Sequence, residues 1–587
     1  MIRGEDFRER LIWLAPLQTT GEMLRAMNRL VVLLFVAFLA SAARSTPVTV
    51  TPVSAAHGMV VATHPQAAEI GVAVLKTGGN AIDAAIATSL ALGVAEPYAS
   101  GLGGKLVLVY YEAASGKTFV IDAMDAAGSL DVAAYLKRPE EDRSYGYGSA
   151  CVPGLAAGLW AAHQKWGGKK WADDVQPAIA LASAGFRVLP KSRDFFEEQD
   201  KKLHRGDAEL ARLYLPGGNL PEIGSLLANE DLSRTLELLA RDGRDGFYRG
   251  AVAEKIVGAA RQHGGVFTLD DFARYEARNV EPVAMDFLQY HLVCPPPPAS
   301  GPAILLPILK ALEADSFGGG PLRTAVNFDR IGRVWRVVEP QVHQLIGDVP
   351  QARSNFEKLI APDSIRAIRV KAAAPAAPSE KAAWLDEPLY ENAMAATTHF
   401  IVVDARGNIV CATQSLSVHF GAGVVPPGTG VVLNDSMSNF SFTEPGNPDY
   451  VAPSRRPRST IAPTVVFRGG KPVFAIGLPG SARIPTALLQ VLLDRLTLNR
   501  PLADAIGDTR FHYILPFRVG EEEAFEFEDS LPPSDAAALH KLGWKLAPPE
   551  IAGRGRRFGG VNAIELNPDG TLTGYADPRR ANAAAGW

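Results

Sequence analysis

Apolar positions along the chain recur with two periods, and the changes between them mark out the elements. Residues 57–90 predict a strand, a helix, a stop at Gly78-Gly79-Asn80 and a second helix. The second helix is alanine-rich with small residues on several faces, which predicts burial between layers. Gly101-Leu-Gly-Gly104 leads into KLVLVYYE, a strand, and SGKTFVIDA follows after a short turn as its hairpin partner. Residues 150–190 and 225–265 carry mostly helical spacing with glycine-rich breaks. Pro295–Pro298 is a stop before a helix at 303–313. The stretch 369–390 opens on an alanine- and proline-rich run without periodicity and is expected to be an exposed linker.

After residue 396 strands dominate. HFIVVD (399–404) and IVCATQSL (409–416) flank a turn at Arg406-Gly-Asn408. Residues 465–467 and 473–476 flank Gly469-Gly470, and Pro479-Gly-Ser-Ala-Arg483 opens a further helix. Hairpins with helices on both sides predict a layered α+β body. No repeat of 20–50 residues interrupts it.

The first 43 residues stand apart. Leu30–Ala43 are 14 uncharged residues behind Arg25 and Arg29, ending in Ala40-Ser41-Ala42. A spanning helix needs roughly 18 or more. A basic flank, a short apolar core and an A-x-A end describe a secretory signal, so residues 1–43 are expected to be a removable leader and the protein to be exported, periplasmic or secreted. Met23 and Met27 are alternative starts, and no later segment is long and apolar enough for a stable membrane span.

Composition narrows the classes. The 587 residues are 47% hydrophobic and 21% charged, the balance of a globular protein. A net charge of −4 offers no basic surplus for nucleic acid. Three cysteines (Cys151, Cys294, Cys411) allow one disulfide at most, and Cys411 reads as a core thiol. The 11 histidines form no HExxH or H-x-H cluster, so neither a metal nor another cofactor is implied.

The sharpest local feature is Ala396-Thr397-Thr398-His399, where linker meets strand. A hydroxyl needs an adjacent base to act as a nucleophile. If the chain is cut before Thr397, the new α-amino group is that base. In isolation a Thr-Thr pair is an ordinary strand feature. Its surroundings change this. The run TTHFIVVDARGNIVCATQSLSVHFGAGVVPPGTGVVLNDSMSNF (397–440) closely resembles the γ-glutamyltransferase family. So do GMVVATHPQAAEIGVAVLKTGGNAIDAAIA (58–87), GLGG (101–104), GGVFTLDDFARYEA (264–277), PPPPASG (295–301), RRPRSTIAPT (455–464), PGSARI (479–484) and ADPRR (576–580), in the family's order.

The resemblance implies the αββα sandwich of N-terminal-nucleophile hydrolases. It implies self-cleavage between Ala396 and Thr397 into a large chain (44–396) and a small chain (397–587) that remain together as a heterodimer, with small amides or peptides as substrates. Thr397 matches the nucleophile, and Ser415 matches a Thr whose hydroxyl holds it. Ser459 and Thr460 match the pair that binds the substrate carboxylate. Gly480 and Ser481 match a Gly-Gly pair whose amides form the oxyanion hole; these also precede a helix, where free amides favour negative charge. As a plain helix start, Ser481 would be the capping residue.

Several departures concern the acyl group. Asn439 stands where the family has an acid for the donor's α-ammonium, with Ser436 and Ser417 replacing neighbouring Gln and Asn. Met124 and Ala133 stand where the family has arginines, the second of which grips the α-carboxylate. Arg458 or Lys105 are candidate replacements, against a reading of Arg455, Arg456 and Arg458 as a solvated basic edge. The expected activity is hydrolysis or transfer of γ-glutamyl amides such as glutathione. The alternatives are an acylase for glutaryl-type groups lacking the α-amine, which the acid-to-Asn change resembles, and an inactive relative kept as a binding protein.

Overall fold

The computed structural model describes residues 47–205, 207–315, 317, 322–374, 395–515, 523–547 and 557–587. The leader, with its signal and alternative starts, and residues 375–394, which include the rest of the expected linker, lie outside them. Residues 369–373 are the end of a helix, Pro362–Ala373, with Ala372 buried, so the linker begins later than its composition implied.

Two seven-stranded sheets, antiparallel throughout, make the body. The first runs Ala583–Gly586, Met59–Ala62, Ala395–Val403, Ile409–Val418, Lys105–Glu112, Lys117–Ala123, Arg278–Val280. The second runs Val53–Ala55, Leu572–Ala576, Asn562–Leu566, Lys471–Gly477, Thr464–Arg468, Tyr290–Cys294, Val283–Phe287. Strand alternation sorts the side chains by face. Val107, Val109, Ile401 and Cys411 join Val465, Ile476 and Ile564 in the core between the sheets. Leu106, Leu108, Phe400 and Val402 face the other way, into the helices Pro65–Lys76, Ala81–Ala95, Leu155–Trp166 and Trp171–Ala184. The helices Gly301–Leu312, Ala325–Leu345 and Arg483–Leu492 pack with the second sheet. This is the αββα sandwich.

Helix Ala81–Ala95 is buried at every position but Gly93, as its small residues required. Asn80 and Asp83 form a capping box that starts it. Gly103 and Gly104 lie against the backbone of the neighbouring segments: a Cβ at 103 would stand 1.9 Å from the Val432 carbonyl oxygen, and one at 104 would stand 2.3 Å from that of Ser415. The GLGG turn is therefore close packing beneath the strand that carries Ser415. All three cysteines are buried free thiols. Among the described residues no helix is long and apolar enough to cross a membrane.

Candidate active site

Thr397 begins the regular part of the strand Ala395–Val403, just after a register shift between Ala396 and Thr397. Alternation then divides its neighbours. Thr398 faces the helices, where its hydroxyl donates to Glu96 Oε2 at 2.7 Å. Glu96 also receives hydroxyls from Thr63 at 2.5 Å and Tyr98 at 3.1 Å, and burial raises its carboxyl. His399 faces the second sheet, its ring against Gly477 and 2.8 Å from Thr413 Oγ1. Burial lowers His399 to about 3, so it is neutral and no base for its neighbour.

The Thr397 side chain is buried and lies on the face that looks toward the second sheet. Its Oγ1 is 3.1 Å from Ser415 Oγ. The Ser415 hydroxyl accepts the Ser417 N–H at 2.9 Å and donates to the Ala396 carbonyl. Arg580 Nη1 donates to the Thr397 carbonyl at 3.3 Å. One hydroxyl thus stands beside the peptide bond before Thr397, and a second donates to that bond's carbonyl. This is the arrangement an attack of Thr397 Oγ1 on Ala396 requires.

Gly480 and Ser481 lie in the turn between the strand Lys471–Gly477 and the helix Arg483–Leu492. The turn is held by Arg483 N–H to the Gly480 carbonyl at 3.0 Å and Ile484 N–H to the Ser481 carbonyl at 2.9 Å. Ser481 has φ +53°, the left-handed region that glycine enters without strain. The helix is preceded by Ala482 as its cap, without a side-chain capping bond, so Ser481 is not the capping residue. The Thr460 hydroxyl donates to the Ser481 carbonyl at 2.9 Å, which ties it to the turn. Ser459 is fixed through its backbone, donating to Pro298 O at 3.2 Å and accepting from Ser300 N at 2.7 Å.

Ser417, Ser436 and Asn439 come together, and what they surround is Lys105. Lys105 is buried, and its Nζ donates to Ser417 Oγ at 2.7 Å and Ser436 Oγ at 2.9 Å. Asn439 Nδ2 donates to Ser417 Oγ at 3.2 Å. Ser436 Oγ donates to Asp125 Oδ2 at 2.6 Å, and that carboxylate stands 3.6 Å from Lys105 Nζ. Burial pushes Asp125 up to about 7, against the opposing pull of Lys105. Ser417 has φ +77°, strain placed at the junction of this network with Ser415. Met124 is buried in the core and Ala133 is exposed on the short helix Val132–Leu136.

Arg458 is not in this network. It is buried, donating to the carbonyls of His343 at 3.1 Å and Ile346 at 3.2 Å and to His343 Nδ1 at 3.0 Å, with Asp449 at 3.7 Å. Arg456 is likewise buried on Asp122 and the Glu276 carbonyl. Arg456 and Arg458 are therefore not a solvated edge, while Arg455 is half-buried and donates to the Tyr450 carbonyl at 2.7 Å. Asp125, Arg580 and Glu96 were missed as site residues. The only sequence signal for the first two was their place inside IDAMD and ADPRR.

A family model described as Gamma-glutamyltranspeptidase matches residues 67–587. The chain is 32% identical over 561 residues to the "Glutathione hydrolase proenzyme" of Pseudomonas sp. (strain A14), covering 91% of this chain and 95% of that protein. It is 34% identical over 547 residues to the "Acylase ACY 1 proenzyme" of Pseudomonas sp. (strain SE83), covering 89% and 92%. Among solved structures, cephalosporin acylase from Bacillus halodurans superposes with a TM-score of 0.82 at 26% identity, over 93% of this chain and 98% of that one.

Proposed function

The chain belongs to the gamma-glutamyltranspeptidase family of hydrolases and transferases, and on that premise we propose that it cuts itself between Ala396 and Thr397 and then uses Thr397 to break amides. The supporting observation is the position of Thr397 and Ser415 around the Ala396 carbonyl. Thr397 Oγ1 attacks that carbonyl, Ser415 stabilises the oxygen as it gains charge, and breakage of the C–N bond frees the Thr397 amine and leaves an ester; water then cleaves the ester, releasing the Thr397 hydroxyl and the Ala396 carboxylate. In the cut protein, residues 44–396 and 397–587 stay together as a heterodimer, because both chains contribute strands to each sheet. The freed amine then serves as base, and Gly480 and Ser481 face the developing oxyanion with their amides. The acyl-enzyme passes its acyl group to water or to an amine.

The acyl group follows the relatives. Glutathione hydrolase proenzymes point to γ-glutamyl amides such as glutathione. The second reading, an acylase for glutaryl-type groups, is favoured by Asn439 in place of an acid and by Lys105 beside it. Export through the leader rests on the pattern of residues 1–43.

The test is electrophoresis of purified protein beside Thr397→Ala. Two bands, the smaller starting at Thr397, are expected from the native chain and one band from the variant. A native chain that remains single would sink the proposal.

A further inference from the structure

The geometry points to Lys105 as the group that reads the acyl chain: its ammonium holds the distal carboxylate of a dicarboxylic acyl group, with or without an α-amine. This rests on Thr397 as the nucleophile.

Register places it. Thr397 pairs with Ser415, and Ser415 pairs with Lys105, so the three form one row across adjacent strands and share a face. Two strand spacings separate the backbones of Thr397 and Lys105 by about 10 Å. The lysine stem covers part of that gap. An extended five-carbon acyl chain, with four carbon–carbon bonds of about 1.5 Å each, is of the length to bridge the remainder. The polar contacts are continuous as well, from Thr397 Oγ1 through Ser415 and Ser417 to the ammonium.

Polarity decides the sign of the guest. Lys105 and Asn439 both donate to Ser417 Oγ, which lies 2.8 Å from Ser436 Oγ, and Ser436 in turn donates to Asp125. The protons named here run toward Asp125, whose Oδ2 is taken by Ser436, while its Oδ1 is buried without a hydrogen-bond partner among the described residues. An incoming α-ammonium meets donors and a fixed cation; an incoming carboxylate meets what it needs. Two carboxyls lie near that cation, and each also has other donors. Asp125 stands 3.6 Å from it, within ion-pair distance, and burial pushes its carboxyl up, which weakens its hold as an anion. Asp435, the other carboxyl that feels Lys105, accepts the Val418 N–H at 3.0 Å and the Ser438 hydroxyl at 3.1 Å. The arginine that the family uses for the carboxylate has no counterpart at Met124 or Ala133, and Arg458 is committed elsewhere. Lys105 fills that role from the strand that follows the glycine turn.

The experiment uses the cut two-chain enzyme and three anilides of equal acyl length: glutaryl, γ-glutamyl and the uncharged pentanoyl. Native enzyme is expected to favour glutaryl over pentanoyl by at least thirtyfold in kcat/KM, and Lys105→Met to reduce that ratio at least tenfold, mainly through KM. Lys105→Arg should recover part of it. An unchanged ratio in Lys105→Met overturns the proposal. So does a native enzyme that treats glutaryl and pentanoyl alike or is inert to all three anilides, a result that needs no variant to fold. Failure of the parent reading looks different: the chain stays uncut, or hydrolysis persists in Thr397→Ala.

Discussion

Removing the Ser415 hydroxyl tests the self-cleavage geometry most directly. In the uncut chain this hydroxyl donates to the carbonyl that Thr397 must attack, and it accepts the Ser417 N–H at 2.9 Å. Ser415→Ala deletes one donor to a developing oxyanion, a loss of roughly 10²–10³ in rate, or about 2.7–4 kcal/mol of barrier. It also leaves the Ser417 amide without its acceptor, at a cost to the fold of about 1–3 kcal/mol. That second cost falls on stability and does not by itself slow a folded chain. The two effects are separable because Ser415→Thr restores the hydroxyl. The assay follows conversion of freshly made precursor into two bands over time, with circular dichroism as a check on folding. The expected order is native and Ser415→Thr fast, Ser415→Ala at least a hundredfold slower. A folded Ser415→Ala precursor that matures within threefold of the native rate would refute the role of Ser415 and the orientation of Ala396 with it.

Two further predictions concern the turn at 479–481 and a buried acid elsewhere. Ser481 sits at φ +53°, so Ser481→Gly keeps the turn and is expected to hold or raise kcat, whereas Ser481→Val, β-branched in a left-handed conformation, should lower kcat at least tenfold in cut protein; equal kcat in both variants removes the turn from catalysis. Asp174 is raised to about 8, by burial first and by Asp83 next, from an ordinary carboxyl value near 4. The native state then keeps a proton that the unfolded chain releases, so this contribution to stability is full below about pH 4 and is lost as pH rises through about 8. Thermal unfolding at pH 6 and pH 9 should show a smaller drop for Asp174→Asn than for native protein, and identical drops would show that Asp174 is ionised throughout.

The fold was legible because its signals are local. Gly78-Gly79-Asn80 ends one helix and caps the next through neighbours in sequence, and the Gly469-Gly470 turn sets a hairpin in the same way. The motif around Thr397 stood out for a related reason, since it lies in one continuous run. The reading failed where the deciding partner is far away in sequence. Three arginines within four residues look solvated until Asp122, Asp449 and the carbonyls of 276, 343 and 346 close around two of them. Arg369–Ala373 looked like linker because composition outweighed helical continuation from Pro362.

Lys105 shows the same limit at the point that matters for specificity. In the sequence Lys105 is one of two candidate replacements for the missing arginine, with nothing to choose between it and Arg458. Lys105 is buried because its strand is central in a sheet and because Ser417 and Ser436, 312 and 331 residues away, are brought onto its amine. The departures seen one by one in sequence are therefore coupled. A carboxylate at 439 would lie one hydroxyl away from Lys105 and would neutralise it through Ser417. With Asn439 there, Ser417 receives an amide donor beside the ammonium. On the proposed role of Lys105, the absence of an acid at 439 and the presence of a lysine at 105 act as one electrostatic change, from a site that would hold a cation to one that would hold an anion.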